Sequence, residues 1–315
     1  MTDELEVLTL GRVGVDLYPL QPGPLAGVST FQKFLGGSAT NVAVGVARLG
    51  RRSSVLTKVG PDAFGIFVRQ ALAGFGVDAS HVGTSPELLT PVVFCELDPP
   101  EEPALLFYRL PVAPDLTLTG EDVPWALVRD VPLLWLTGTG VSVEPARATQ
   151  HAVLRHRGRR RHTVLDLDWR PAFWSSQAEA QRQFAAMLPL VTAVVGNRAE
   201  VDVVVGTRDP ELAATRLLEF GVELAVVKMG AEGVHVATAE GAHTIAPVPM
   251  RVVNGLGAGD AFGAALAHGL LAGWDPVTIG AYANAAGAIV ASRLACSDAM
   301  PTLQELENVL AGHAA

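Results

Sequence analysis

Gly257-Ala258-Gly259-Asp260 combines residue types that can move a phosphoryl group. The stretch follows an apolar run, Ala246 to Val253, and opens an Ala-rich helical pattern over Ala261 to Ala272. Glycines where a helix begins let backbone approach a ligand and leave the first N–H groups without partners. Those N–H groups, with the helix dipole, make an anion site. A carboxylate in fourth place would repel a resting phosphate. It suits a loop that holds a phosphoryl group in transit while the acid takes a proton from the attacking hydroxyl. A plain Gly-rich turn with Asp in the first turn of a helix has the same pattern.

A second Gly-rich element, Gly36-Gly37-Ser38-Ala39-Thr40-Asn41, leads into a helical pattern ending at Leu49-Gly50. Paired glycines let backbone lie against a ligand. Ser38 or Thr40 can cap the helix, and Asn41 offers a donor and an acceptor to a hydroxyl.

Both elements need a frame, and the composition supports a large one. Apolar residues make up 49% of the 315 and charged ones 17%, which suits a sizeable core and excludes disorder. The net charge of −9 argues against nucleic acid or an anionic membrane as partner. An acidic chain that binds anions must place isolated cations or backbone amides locally. Lysine is confined to Lys33, Lys58 and Lys228, and arginine carries the remaining positive charge. Cys95 and Cys296 lie in apolar surroundings without metal spacing and read as reduced core residues. No secretory signal or membrane helix stands out, so cytoplasm is the expected location. The basic cluster Arg155 to Arg161 has no interleaved aromatics and reads as a solvated helix end.

Short apolar runs alternate with helical patterns. Buried strands are expected at Val7–Leu10, Ser54–Val59, Leu133–Thr137, Thr163–Leu167, Thr192–Val195 and Leu224–Lys228. Helices are expected at Ser38–Leu49, Phe64–Phe75, Pro145–Arg155, Gln177–Leu188 and Pro210–Phe220, and the last third reads as helical. Such alternation specifies an α/β fold, a mostly parallel sheet with helices on both faces. Gly233–Thr238 and the run through Ala246 resemble an edge hairpin. Two stretches break the rhythm. Gly14 to Phe34 is Pro- and Gly-rich, and Val92–Leu97 and Leu105–Tyr108 form a hairpin through Asp98-Pro99-Pro100-Glu101-Glu102-Pro103. Both suit a small β lid over the carboxyl edge of the sheet, and equally a surface decoration or an oligomer interface.

Taken together, GGSATNVAVGVARLG and NGLGAGDAF, about 220 residues apart, resemble the ribokinase-like (PfkB) carbohydrate kinase family from Gly11 to about Pro301. The resemblance implies one ribokinase-like domain over 1–315, a three-layer α/β/α sandwich with lid segments at about 14–35 and 90–112. It implies ATP and Mg²⁺ as cofactors, Asp260 as base, and Gly257, Ala258 and Gly259 as amide donors to the transferring group. Asp16, in Gly11-Arg12-Val13-Gly14-Val15-Asp16, matches the acid that binds sugar hydroxyls, with Gly36, Gly37 and Asn41 beside it. Asn197 and Glu200 match an N-x-x-E element associated with Mg²⁺ and phosphate. Gly230, Gly233 and Asn284 match nucleotide-side positions. Lys228, at a strand end, would counter the charge of the phosphates. Asn254-Gly255-Leu256 departs from the family's Asp-Thr-Thr, which puts activation by a monovalent cation in question.

The family spans sugars, nucleosides and sugar acids, so substrate must be read from side chains. Arg109, after Phe107-Tyr108, and Arg170, in Asp166-Leu167-Asp168-Trp169-Arg170-Pro171, fall near strand ends at the expected pocket mouth. A guanidinium pairs bidentately with a carboxylate, so two of them suggest a small sugar acid. The DLDWRPAFW stretch resembles two sugar-acid kinase subgroups, acting on 2-dehydro-3-deoxygluconate and on 5-dehydro-2-deoxygluconate. GRVGVDLYPLQ, KMGAEG and CSDAMPT favour the second, which belongs to inositol catabolism. Other sugar or nucleoside kinases, and a non-catalytic sugar-binding regulator on the same fold, remain alternatives. Edge strands in a lid need cover, and the family resemblance implies that lids pair between subunits in a homodimer or higher homo-oligomer.

Overall fold

Strands buried on both faces read as unbroken apolar runs, and those runs build the centre of this molecule. The computed structural model describes residues 4–100 and 103–313. Met1 to Asp3 and the hairpin residues Glu101 and Glu102 lie outside the described residues. In chain order the elements are β1 (Val7–Leu10), β2 (Gly14–Pro19), β3 (Phe31–Gly36), α1 (Ser38–Arg48), β4 (Ser53–Val59), α2 (Ala63–Gly74) and β5 (Val82–Thr84). A hairpin of β6 (Val92–Glu96) and β7 (Ala104–Tyr108) precedes α3 (Trp125–Asp130), β8 (Leu133–Thr137), α4 (Ala146–Arg157), β9 (Thr163–Asp166) and α5 (Gln177–Met187). Then come β10 (Ala193–Asn197), α6 (Arg198–Val205), α7 (Pro210–Glu219), β11 (Leu224–Lys228), β12 (Val234–Thr238) and β13 (Gly241–Ile245). Helices α8 (Ala258–Ala272), α9 (Pro276–Ala291) and α10 (Leu303–His313) complete it.

Among the described residues the main sheet has nine strands in the order β13-β12-β11-β10-β9-β8-β1-β4-β5. It is parallel from β5 to β11, and β12 and β13 run antiparallel at one edge. Alternate residues of a strand feed opposite helix layers. Leu133 and Trp135 join the core beneath α1, α8 and α9, while Leu134 and Leu136 join the core beneath α4, α5 and α7. A second sheet, β3-β2-β6-β7, draws its strands from the two stretches that break the αβ rhythm. The chain therefore has the three-layer α/β/α architecture expected from the alternation, with a small β sheet added.

Two departures have plain causes. Helix α6 is not announced by its sequence, because Val201, Val203, Val204 and Val205 are β-branched and read as strand. Its ends override that preference: Asn197 and Glu200 make a reciprocal capping box, and Gly206 closes the helix in the left-handed region. In the basic cluster, Arg157 is buried rather than solvated. Its guanidinium donates to Thr163 Oγ1 and to the carbonyls of Val128, Pro132 and His162. Its neighbours Arg159, Arg160 and Arg161 pair at the surface with Glu223 and Asp130.

The contact that matters most for the site is between α1 and α8. A Cβ on Gly45 would lie 2.5 Å from the Ala264 methyl, so only glycine lets the two helices approach this closely. Their amino ends therefore arrive side by side.

Candidate active site

Helix α8 starts at Gly257, with φ at +79°, where a Cβ would meet the Cys296 sulfur at 2.8 Å. Helix α1 starts at Gly37. Neither helix has a side-chain cap, whereas α2, α5, α6, α7 and α9 are capped by Asp62, Ser176, Asn197, Asp209 and Asp275. An uncapped helix start leaves N–H groups and the positive end of the dipole for an external anion. The starts of α3 and α4 also lack a side-chain cap, but those of α1 and α8 border one cavity, shared by Gly37, Ser38, Asn41, Gly257 and Asp260.

Asp260, in the first turn of α8, joins the two helices. Ser38 Oγ donates to its Oδ1 at 2.8 Å, and Asn41 Nδ2 donates to its Oδ2 at 2.7 Å. Burial raises its pKa, and the two hydrogen bonds oppose that rise by favouring the anion. Asn41 is thus not the uncommitted sugar-hydroxyl partner expected from its motif. Its carbonyl accepts from Ser297 Oγ at 2.6 Å and its amide donates to Asp260, so it fixes that carboxylate at the cavity wall. Gly36 also differs from expectation. A Cβ there would fall 2.1 Å from Asp16 Oδ1, so it makes room for that carboxylate rather than for a ligand.

Asp16, on β2, lines the same cavity. Burial pushes its carboxyl up to about 7; Arg12 pulls against that and Asp260 adds to it. Arg109 follows β7, and its Nη2 reaches both oxygens of Asp115, at 2.8 and 2.7 Å. Arg170 Nε lies 3.1 Å from Asp168 Oδ1, an ion pair without hydrogen-bond alignment. A third arginine, Arg12, shares this wall. Its Nη2 lies 2.6 Å from Asp168 Oδ2, and its Nε donates to Thr139 Oγ1 at 3.1 Å. Arg12 and Arg109 both lie over the Phe173 ring, at 5.7 and 5.5 Å from its centroid. In an Arg-rich chain nothing in the sequence sets Arg12 apart. Its only sign is its place four residues before Asp16.

On the other side of Asp260, Lys228 ends β11. A Cβ on Gly259 would sit 3.3 Å from its Nζ, which places the ammonium beside the glycine loop. Burial alone would lower the Lys228 pKa, but Asp166, Glu200, Asp260 and Asp168 together raise it and keep it charged. Asp166 Oδ1 lies 3.9 Å from Nζ and is buried without a hydrogen-bond partner. Burial pushes this carboxyl up to about 8, against the pull of Lys228.

Asn197 and Glu200 are first of all a helix start. Asn197 Oδ1 accepts from the N–H groups of Ala199 and Glu200, and Glu200 Oε2 accepts from Asn197 N–H at 2.7 Å. Glu200 keeps one oxygen free of that bond. No cluster of three metal-ligating side chains occurs among the described residues. That free oxygen and the orphaned Asp166 Oδ1 fit Mg²⁺, which retains waters and takes phosphate oxygens as ligands. Gly230 and Gly233 bracket a tight turn after β11. Asn284 donates its amide to the carbonyls of Ile245 and Ala246, tying α9 to the end of β13 rather than leaving it free for a nucleotide. Asn254 donates to Leu294 O and accepts from Leu256 N–H, bracing the loop ahead of Gly257. Cys95 and Cys296 are buried and unpaired to each other.

Residues 4–303 match the family described as pfkB family carbohydrate kinase. The chain is 33% identical over 316 residues to a 5-dehydro-2-deoxygluconokinase of Geobacillus thermodenitrificans, covering 97% of this chain and 93% of that one. It is 32% identical over 319 residues to the protein of that name in Geobacillus kaustophilus, covering 98% and 94%. A fructokinase of Vibrio cholerae, solved with fructose, ADP and calcium ion bound, superposes with a TM-score of 0.85 at 26% identity. That match covers 97% of this chain and 99% of the fructokinase. The layered architecture is the ribokinase-like one.

A carboxyl pushed up to about 7 at the cavity wall gives that wall a charge that depends on pH. An ionised Asp16 would accept hydroxyl hydrogen bonds more fully than its neutral form, so polyol affinity is expected to rise as pH increases through 7. Asp16→Asn should flatten that profile, measured by calorimetric titration. The same group works oppositely on folding. Its folded pKa lies above the ordinary aspartate value of 3.8, so its contribution favours the fold at low pH and is lost as pH rises through 7.

Proposed function

Because the chain belongs to the pfkB family of carbohydrate kinases, we propose that it transfers the γ-phosphoryl group of ATP to the terminal hydroxyl of 5-dehydro-2-deoxy-D-gluconate. The products are the 6-phosphate and ADP. One observation carries the chemical part: a buried carboxylate, Asp260, sits in the first turn of an uncapped helix and is held by two hydrogen bonds in a cavity it shares with three arginines. The relatives named 5-dehydro-2-deoxygluconokinase support the choice of sugar acid.

In this reading Asp260 takes the proton of the attacking hydroxyl, and its raised pKa makes it a stronger base than a solvated aspartate. The amides of Gly257, Ala258 and Gly259 receive charge as it moves onto the transferring oxygens. Lys228 offsets the phosphates from the far side of the glycine loop. Asp166 and Glu200 would hold Mg²⁺, which screens and orients the phosphates when bound. A monovalent cation has no assigned part. Asp16 accepts from the sugar hydroxyls, and the arginines of the cavity wall, Arg12, Arg109 and Arg170, face its carboxylate and keto end. The small sheet, segments about 14–35 and 90–112, acts as a lid that keeps water from the acceptor position.

The lid's outer face is apolar. Phe31, Phe94 and Tyr108 stack edge to face at 5.2 and 5.5 Å, and Leu106 and Leu110 project beside them into solvent. We read this face as the interface of a homodimer. Among the described residues no helix is long and apolar enough to cross a membrane, and a cytoplasmic enzyme is the proposed setting.

A coupled ADP-release assay tests the substrate. Higher kcat/KM on 5-dehydro-2-deoxygluconate than on 2-dehydro-3-deoxygluconate is expected, and equal or better rates on the second would overturn the choice. Nucleotide-dependent thermal stabilisation with no ADP release from any sugar would instead point to a binding regulator. Sedimentation should give the mass of two chains, and Tyr108→Asp should reduce it to one. A parent that sediments as a single chain removes the dimer.

A further inference from the structure

We infer that Arg12 determines the preference for an acidic sugar by pairing with the substrate carboxylate, and that Asp168 is the residue that positions it. The inference rests on the sugar-acid reading above. Arg109 already has a carboxylate of its own, because Asp115 takes its Nη2 through both oxygens. Asp168 is instead shared: its two oxygens face Arg12 at 2.6 Å and Arg170 at 3.1 Å. Two guanidiniums share that one carboxylate, and Asp16 and Asp260 act on Arg12 from beyond ion-pair distance. A guanidinium whose direct counter-ion is shared gains from a carboxylate supplied by a ligand.

Arg12 is the better placed of the two. Its side chain is 8% exposed, against 43% for Arg170. Nε and Nη2 are fixed by Thr139 and Asp168, the ring of Phe173 lies beneath, and Nη1 finds no acceptor among the described residues. The backbone is fixed too. Thr40 Oγ1 donates to the Arg12 carbonyl, and the turn at Gly37 packs on that same carbonyl. Arg157 shows what a structural arginine looks like in this protein, with Nε, Nη1 and Nη2 all donating to protein oxygens. Arg12 keeps one nitrogen free in a cavity wall. A fork held this rigidly loses little freedom when it takes a carboxylate oxygen. Asp168 itself has φ of +32°, an uncommon backbone state for a non-glycine residue that fits a carboxylate fixed between two arginines.

The test is steady-state kinetics on the full chain with saturating ATP and Mg²⁺, using 5-dehydro-2-deoxygluconate, 2-dehydro-3-deoxygluconate and fructose. Arg12→Met should raise KM for the acid used by the parent by about 10–100-fold, with a much smaller change in kcat. Arg12→Lys should recover part of that loss, since it restores charge but not the fork. Asp168→Asn should raise KM in the same direction while Arg12 is still present. A KM for Arg12→Met within about twofold of the parent overturns the inference and leaves the sugar-acid reading standing. Should Arg12→Met fail to fold by circular dichroism, Arg12→Lys carries the test, and an unchanged KM again overturns it. A parent that phosphorylates fructose and neither acid overturns the substrate reading itself, and the role of Arg12 with it.

Discussion

The hydrogen-bonded junction between Asp260 and the start of α1 is the constraint on which the site depends. Ser38 and Asn41 come from one helix and Asp260 from another, more than two hundred residues later in the chain. They meet because Gly45 lets α1 and α8 pack almost backbone to backbone. The meeting has an electrostatic consequence. Two helix dipoles point their positive ends at one cavity, and neither start is covered by a side-chain cap. A carboxylate buried there would be costly alone. Two donors keep it ionisable, while burial keeps it basic.

The remaining charges follow from a second constraint, which is that an acidic protein must bind anionic ligands. Each cation near the site is held in place by acids. Asp115 holds Arg109, Asp168 holds Arg12 and Arg170, and Asp166 with Glu200 keeps Lys228 charged. Buried charges survive when they are paired and positioned. Such pairing makes the wall stiff before any ligand arrives, so less ordering remains to be done on binding. The shared pairing at Asp168 leaves Arg12 with one guanidinium nitrogen free in that wall.

Much of the frame was legible because strands buried on both faces carry their own signature. Val7–Leu10, Leu133–Thr137 and Leu224–Lys228 are apolar, short and bounded by turns, and the structure has strands with those bounds. Helix α6 was hidden, since its valines argue for a strand and only its caps argue for a helix. At the site, residue types that do chemistry were visible wherever a motif enclosed them, as in GAGD. Partner choice was not visible. Nothing in the spacing of Gly36 says that it yields to Asp16, or that Asn284 is committed to two carbonyls, because those contacts exist only after folding. Arg12, Asp166 and Asp168 were missed for a related reason. Each looks like any other charged residue in sequence and gains its meaning from burial next to an opposite or shared charge.

The most direct test of this account is the turnover of Asp260→Asn with saturating ATP, Mg²⁺ and sugar acid, alongside calorimetric titration of ATP into the same protein. Asparagine keeps the shape of the side chain and removes its basicity. The account predicts unchanged folding, nucleotide affinity close to the parent, and a kcat lower by about 10²–10⁴. Turnover within a few-fold of the parent would contradict it, because the proton would then leave by a route that does not involve the junction of α1 and α8.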